Sequence, residues 1–263
     1  ATTMMGVPTF YTRLLEDARF TKDLAKDMRL FISGSAPLLA ETHVQFEERT
    51  GHRILERYGM TETNMNTSNP YKGERRAGTV GFPLPGVEIK ITDSNTGATL
   101  PQGDIGEIEV RGPNVFKGYW QMPEKTAEEL REDGFFITGD LGQIDEDGYL
   151  HIVGRNKDLI ISGGYNIYPK EIELLLDDEE GVLESAVVGV PHPDFGETVV
   201  GVLVAEDGAK LDLDAIKQNI GTSLARFKHP QKLVVVPELP RNTMGKVQKK
   251  ELRENYKDLF APA

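Results

Sequence analysis

The sequence predicts an α/β protein in which part of a large domain, a parallel α/β sheet plus a β-rich subdomain, is followed by a small mobile α+β domain. Early in the chain, short apolar segments alternate with a helical pattern, as in parallel sheets that bind ligands at their strand ends. Beyond Gly81 the pattern changes to alternating strands. A charged segment near Lys157 interrupts it, and a compact α+β pattern follows. We therefore predict domains at residues 1–156 and 157–263.

Composition excludes several classes of function. Among 263 residues, 30 are Lys or Arg and 42 are Asp or Glu, giving a net charge of −12. This charge opposes non-specific binding to nucleic acid or anionic membranes, so we predict neither partner. Cysteine is absent, which excludes thiolate chemistry and favours a reducing, cytoplasmic compartment. The sequence also lacks the H-E-x-x-H pattern of zinc proteases and the G-x-S-x-G pattern of hydrolases.

In the first predicted domain, a proline at position 8 marks the start of a helix. The chain has no initiator methionine, and we expect it to be the C-terminal portion of a longer protein. A strand at 30–32, a helix at 40–50 and a strand at 53–58 that opens into a glycine turn follow. Further strands are predicted at 87–92, 106–111, 135–138 and 149–153. We interpret Asp147-Gly148 as a hairpin turn, because the remaining ligands of a calcium loop are not correctly placed.

The second predicted domain alternates strands and helices. Ile172, Leu175 and Leu176 share one face of a helix predicted at Pro169–Asp177. A second helix is predicted at 213–224. Strands are predicted at 159–161, 182–190, 199–205 and 232–236.

Residues 58–63 are the first candidate binding motif. Backbone N–H groups and the Thr61 hydroxyl at a strand end can bind a phosphate, and Glu62 is a hard oxygen ligand that suits Mg²⁺. Short Gly-Thr turns are common, so an ordinary turn is the alternative.

Three further motifs have both a chemical and a structural interpretation. Asp140 in Thr138-Gly-Asp can accept hydrogen bonds from both ribose hydroxyls, or lie in a simple turn. Gly163 and Gly164 allow a ligand to approach the backbone closely, or form a strand–turn–helix junction. Lys246 is either a movable cation next to Gly245 or an ordinary surface lysine.

These motifs occur in the order found in the acyl-adenylate-forming superfamily of acyl-CoA synthetases, luciferases and peptide-synthetase adenylation domains, which the chain resembles along its full length. The matching segments are Ser33-Gly-Ser-Ala-Pro-Leu38, Tyr58-Gly-Met-Thr-Glu62, Thr138-Gly-Asp140, Gly154-Arg155 and Pro240-Arg-Asn-x-x-Gly-Lys246. Within this superfamily, residues 7–13, 56–67 and 240–246 are most similar to malonyl-CoA synthetases.

The resemblance implies roles for individual residues. Adenine and ribose contacts are assigned to Gly34, Ser35, Ala36, Tyr58, Gly59, Met60, Asp140, Ile152 and Arg155. Thr61 would contact the α-phosphate, Glu62 would bind Mg²⁺, and Lys246 would bridge carboxylate and phosphate, so these three are the predicted catalytic residues. Lys157 matches the hinge of the family. Gly163 and Gly164 match its pantetheine channel.

A dicarboxylic acid has a second carboxylate that requires a fixed cation. Arg13, helped by Ser35, is the candidate because a guanidinium is planar and permanently charged. A helix-surface ion pair with Glu16 or Asp17 is the alternative for Arg13.

The implied reaction joins an acid to coenzyme A through an acyl-AMP intermediate, with ATP and Mg²⁺ and release of pyrophosphate and AMP. A lysine acetyltransferase acting on Lys246 is a further expected partner, because acetylation removes the charge. The Ser/Thr/Gly-rich phosphate loop of the family has no counterpart here. This absence leaves open a truncated, non-catalytic module that binds nucleotide or coenzyme A. A separate alternative is an adenylation domain for another acid or an amino acid.

Overall fold

The computed structural model describes residues 1–243 and 245–261. The chain divides into two compact units, Ala1–Ile152 and Val153–Ala263. The sequence-based boundary after residue 156 lies slightly beyond this division. Among the described residues, no helix combines the length and the apolar character needed to cross a membrane.

The first unit begins with a five-stranded sheet whose strands follow one another in chain order. The strands are β1 (Thr3–Gly6), β2 (Leu30–Ser33), β3 (Leu55–Met60), β4 (Asn64–Ser68) and β5 (Phe82–Pro83). The helices are α1 (Pro8–Glu16), α2 (Lys22–Ala25) and α3 (Ala40–Thr50). Strands β1, β2 and β3 are parallel, whereas β4 is antiparallel to β3 and β5. The predicted helix at 40–50 is confirmed.

Aromatic packing holds these helices against the sheet. Phe46 of α3 is fully buried, and its ring meets Tyr11 of α1 and Phe31 of β2 edge to face at 5.4 Å and 4.9 Å between centroids. Such pairs add about 0.5–1.5 kcal/mol to the burial of their area. The helix α3 ends at Gly51, whose left-handed φ of 76° suits glycine. The position of β2 against α1 and α3 is therefore fixed by a shared apolar core.

The second sheet of this unit contains four strands in chain order. They are β6 (Glu88–Thr92), β7 (Gly106–Arg111), β8 (Phe136–Ile144) and β9 (Leu150–Arg155), with helix α4 (Pro123–Glu129) between β7 and β8. The prediction that a strand ends at residue 138 is wrong. Gly139 has a φ of 71° and lies where the β7–β8 register shifts, so the strand bulges there and continues.

The second unit is an α+β fold. A turn of 3-10 helix (Asn156–Asp158) leads into the strands β10 (Ile160–Ser162), β11 (Tyr165–Ile167), β12 (Val182–His192), β13 (Gly196–Ala205) and β14 (Lys232–Val236). The helices are α5 (Pro169–Asp177), α6 (Leu213–Ser223) and α7 (Lys249–Tyr256). The sheet order is β11-β10-β13-β12, and β14 pairs in parallel with β13. The helix predicted at 169–177 is confirmed.

Both faces of this sheet are covered. Val187 of β12 packs in one apolar cluster with Ile172 of α5, whereas its neighbours Ala186 and Val188 pack in a second cluster with Leu252 of α7. A strand that is buried on both faces has an apolar sequence with no polar alternation, as residues 186–190 of β12 do. The helix α7 is therefore part of the packed body of the second unit.

The stability of the second unit is expected to depend on Asp177. Its Oδ1 accepts a hydrogen bond of 2.7 Å from the Ser185 hydroxyl. Burial, and to a smaller extent the nearby Glu173, raise the pKa of Asp177 to about 6 from 3.8. Between these two pH values the folded chain binds more protons than the unfolded chain, so the free energy of unfolding falls as pH rises.

We expect Asp177→Asn to remove this pH dependence, because the amide keeps an acceptor for Ser185 and has no charge to bury. Urea unfolding at pH 8 should show a gain on the order of 2 kcal/mol, which shrinks at pH 4. Asp178→Asn, at an exposed neighbouring position, is the control and should change little. An equal effect of Asp177→Asn at both pH values would contradict the assignment.

Candidate functional site

Two parallel strands end side by side in the first unit. Ser33 at the end of β2 pairs with Glu56 of β3, so the Gly34–Ala36 loop leaves the sheet at the edge where β3 also ends. The backbone N–H of Leu38 donates to Glu56 Oε1 at 3.1 Å, which holds the loop against β3. Ser35 is exposed and has a left-handed φ of 69°, unusual for a residue other than glycine. Strained loops of this kind concentrate at ligand sites.

Residues 58–63 form the end of a hairpin and not a glycine turn. The strand β3 continues through Met60, and a β-bulge lies between Tyr58 and Gly59. A Cβ on Gly59 would lie 1.9 Å from the carbonyl oxygen of Asn64, so glycine is required by close approach of the neighbouring strand. The turn itself follows at Thr61, which is exposed at the tip of the hairpin.

The phenol of Tyr58 donates a 2.7 Å hydrogen bond to Asp140 Oδ2. Only 7% of Tyr58 and 5% of Asp140 are exposed, and this bond joins β3 of the first sheet to β8 of the second. Ile152 packs in the same apolar cluster as Tyr58. A carboxylate has about four acceptor positions, so Asp140 can accept more than one hydrogen bond. Residues predicted separately as nucleotide contacts therefore lie together.

Glu62 lies beside a second carboxylate that the sequence did not indicate. Tyr119 Oη is 2.6 Å from Glu129 Oε2 and 3.2 Å from Glu62 Oε1, and its single proton can be donated to one of them at a time. Burial and the hydrogen bond to Glu129 raise the pKa of Tyr119 above its ordinary value. Lys125 lies 2.5 Å from Glu129 Oε1 and offsets part of the negative charge.

These carboxylates fit Mg²⁺ only together with a phosphate. Within residues 1–243 and 245–261, no group of three or more acidic, His or Cys side chains could hold a metal ion alone. Mg²⁺ commonly binds through one or two carboxylates plus the phosphates of a substrate. Half-buried Glu62 at the end of the hairpin is compatible with that type of site.

Arg57 is a cation at the same sheet edge that sequence reasoning missed. A Cβ on Gly34 would lie 3.5 Å from Arg57 Cγ, which places this side chain against the loop after β2. Its Nη2 contacts the sulfur of Met5 at 2.9 Å, and its buried Nε has no hydrogen-bond partner among the described residues. A buried donor without a partner is costly, so this guanidinium is suited to an anionic ligand. Its position in β3, next to the predicted phosphate motif, was the available signal.

Arg13 is exposed on α1, and none of the described residues forms a hydrogen bond or ion pair with its side chain. The alternative of an ion pair with Glu16 or Asp17 is therefore not formed, and Asp17 instead binds Arg19 at 2.6 Å. Arg13 and Ser35, both described residues, form no hydrogen bond with each other. Arg13 therefore stays a prediction for the distal carboxylate.

In the second unit, the predicted coenzyme A and hinge residues are exposed. Gly163 and Gly164 have φ values of 56° and 84° and form the two-residue turn of the β10–β11 hairpin. The strand β11 lies between this turn and α5, so the alternative of a strand–turn–helix junction is not what the structure shows. Arg155 ends β9, and Lys157 lies in the 3-10 turn.

Lys246 is exposed in a hydrogen-bonded loop, between a proline-containing segment and α7 as predicted. The N–H of Asn242 donates to the Lys246 carbonyl, and the N–H of Lys246 donates to Asn242 Oδ1, both at 2.9 Å. Arg241 and Val247 form an antiparallel bridge that closes the loop. Met244, within the matched motif, lies outside the described residues. These hydrogen bonds on both sides of the Lys246 peptide can present its ammonium group in a defined direction.

Comparison with known proteins finds two family models that match parts of this chain. Residues 1–120 match the model of the AMP-binding enzyme family, and residues 171–246 match the model of the AMP-binding enzyme C-terminal domain. The chain is 43% identical to a malonate–CoA ligase of Arabidopsis thaliana, over 98% of the chain and 45% of the relative. It is 39% identical to a long-chain-fatty-acid–CoA ligase of Bacillus subtilis, over 95% of the chain and 44% of the relative.

A solved structure has the same fold. The crystal structure of ATP-bound MatB from Rhodopseudomonas palustris superposes with a TM-score of 0.96 at 63% identity, over 99% of this chain and 52% of MatB. The chain thus spans about half the length of the relatives it matches. The two family models match in the expected order and together cover most of the chain, so the chain belongs to the AMP-binding enzyme family.

Proposed function

We propose that this chain belongs to an ATP-dependent acid–thiol ligase that forms malonyl-CoA from malonate, ATP and coenzyme A, with methylmalonate as a second dicarboxylate to test. The main supporting observation is the single sheet edge that brings together the Gly34–Ala36 loop, the Tyr58–Asp140 pair and the cation Arg57. A nucleotide and an acid with an additional negative charge require this combination. The similarity to a malonate–CoA ligase favours the same acid.

In the first proposed step, an oxygen of the substrate carboxylate attacks the α-phosphorus of ATP, and the bond to the β-phosphate breaks to release pyrophosphate. Both reactants are anions, so neutralisation of charge is the main requirement. We assign this role to the Lys246 ammonium group, and the ribose to Asp140. When bound at Glu62, Mg²⁺ would neutralise further phosphate charge.

In the second proposed step, the thiolate of coenzyme A attacks the carbonyl carbon of acyl-AMP, and AMP leaves with the electron pair of the broken C–O bond. The chain contains no cysteine, so the acceptor thiol comes from the cosubstrate. The Gly163-Gly164 turn offers backbone without side chains to the pantetheine arm. Lys157 is proposed as the hinge about which the second unit turns between the two half-reactions. We also propose that the protein is cytoplasmic.

Two other functions remain to be tested against this one. An aminoacyl-adenylating domain would require an acidic partner for the substrate amino group, and the corresponding strand of this sequence has no aspartate. A non-catalytic module would bind ATP without producing AMP. Isothermal calorimetry combined with detection of AMP separates the module from the ligase.

The deciding experiment measures acid-dependent pyrophosphate release by the full-length protein with a panel of short mono- and dicarboxylic acids. We expect malonate to give the highest kcat/KM, at least about tenfold above propionate, because the cation at the sheet edge interacts with the second carboxylate. A preference for monocarboxylic acids, or for amino acids, would contradict the malonate assignment.

We also propose that acetylation of Lys246 inactivates the first step. The ammonium group is exposed, and acetylation would remove its charge. Incubation with an acetyl donor and a lysine acetyltransferase should block pyrophosphate exchange, and a deacetylase should restore it.

A further inference from the structure

The loop that bears Lys246 is attached to the sheet of the second unit by one arginine. Arg241 Nη1 donates to the carbonyl oxygen of Gly245 at 2.7 Å, and Arg241 Nη2 forms an ion pair with Glu184 of β12. The guanidinium therefore binds the peptide directly before Lys246 with one nitrogen and the sheet with the other. A planar fork makes two such bonds at fixed angles, which an ammonium group cannot do.

Local backbone geometry explains why this attachment is needed. Gly245 has a φ of 78°, and a Cβ there would meet open space among the described residues, so packing does not restrain this peptide. The register of β12 with β13 is irregular between Val182 and Glu184, and such bulges re-aim side chains. The irregularity thus directs the carboxylate toward Arg241.

Two more ion pairs attach the helix that follows the loop. Lys249, at the start of α7, lies 2.5 Å from Glu173 of α5, whose Oε1 also accepts from the Val187 N–H. Arg253 lies 2.9 Å from Asp158 in the 3-10 turn after Lys157. The carboxylates of Glu173 and Asp158 are more buried than that of Glu254, which forms a solvent-exposed pair with Lys257. The loop is therefore fixed on both sides.

We propose that Arg241 and Glu184 are positioning residues that set the direction of the Lys246 side chain for the adenylation step. This inference rests on the proposed function of Lys246. Glu184 orients the Arg241 fork, the fork holds the Gly245 carbonyl, and the Gly245–Lys246 peptide then determines where the ammonium group points. The two residues act only through Lys246, so they affect the step that uses its charge.

The test uses the full-length protein with Arg241→Met, Arg241→Lys and Glu184→Gln. Arg241→Met should lower kcat for malonate-dependent pyrophosphate exchange about tenfold, the effect of losing one charge-assisted hydrogen bond. The KM values for ATP and malonate, and thioester formation from supplied malonyl-AMP, should change less than about twofold. Arg241→Lys and Glu184→Gln should give intermediate losses. Glu254→Gln, which breaks the exposed pair with Lys257, is the matched control and should change none of these quantities.

Hydrogen exchange provides a readout that is independent of activity. The amides of Gly245 and Lys246 donate to Asn242, and their exchange should accelerate about tenfold in Arg241→Met but not in Glu254→Gln. Unchanged exchange in Arg241→Met, or equal losses in both half-reactions, would overturn the positioning role. If the unmodified protein makes no malonyl-AMP, the proposed function fails, and hydrogen exchange alone then decides whether Arg241 holds the loop.

Discussion

Replacing Lys246 with alanine should reduce malonate-dependent pyrophosphate exchange by about 100- to 1,000-fold, the usual cost of removing one preorganised group that stabilises transition-state charge. The reason is electrostatic, because a negatively charged carboxylate must approach a negatively charged triphosphate. Lys246 and Arg241 are the two cationic residues in the sequence of the 241–247 loop. Thioester formation from supplied malonyl-AMP should be preserved, since the single phosphate of malonyl-AMP carries less negative charge than the triphosphate of ATP.

Lys250→Ala is the control for this experiment, because it removes an exposed lysine from α7 without affecting the loop. It should leave both half-reactions within about twofold. An equal loss of both half-reactions in Lys246→Ala would show that the lysine acts in binding or folding and not in adenylation. Preserved exchange would remove Lys246 from the mechanism.

Replacing Arg57 with methionine should lower kcat/KM for malonate about 100-fold and change kcat/KM for propionate by less than about threefold. Removing one partner of a desolvated charge pair costs about 2–5 kcal/mol. A monocarboxylic acid has no second carboxylate that could pair with Arg57, so its activity should not depend on this residue. Methionine keeps the apolar stem that packs against Gly34. The measurement is pyrophosphate release with both acids.

Arg13→Met makes the same change on the exposed face of α1 and tests the residue that the sequence predicted. A selective loss of malonate activity in this variant, with Arg57→Met unaffected, would assign the distal carboxylate to Arg13. Parallel losses for both acids in Arg57→Met would exclude it from acid selection. Thermal unfolding of each variant shows whether a change in stability contributes.

Much of the fold could be predicted because the spacing of apolar residues along the sequence indicates which side chains are buried. The helices at 40–50 and 169–177 and the strand at 106–111 occur where their apolar patterns placed them. The short strands β1, β4, β5 and β11 were not predicted. Four of the five residues 64–68, for example, are polar, and β4 forms because its backbone pairs with β3, an interaction that the local sequence does not indicate.

The candidate site was predictable as a set of motifs but not as an arrangement. Tyr58 and Asp140 each appeared in a motif, whereas their hydrogen bond depends on how two sheets pack. Tyr119 and Glu129 carry no recognisable motif, and they become relevant only because α4 and its preceding loop place them beside Glu62. Gly59 was interpreted as a turn residue, yet its role is to allow close approach of β4.

By itself, the sequence determined the class of fold, the order of the binding motifs and the choice of Lys246 as the candidate catalytic cation. These depend on local patterns and on residue chemistry. Only the tertiary structure decided which groups meet: Asp140 with Tyr58, Arg57 with the Gly34 loop, and Arg241 with Glu184. Each of these contacts joins residues far apart in the chain. Their distances depend on strand register, bulges and sheet packing, which one-dimensional patterns do not specify.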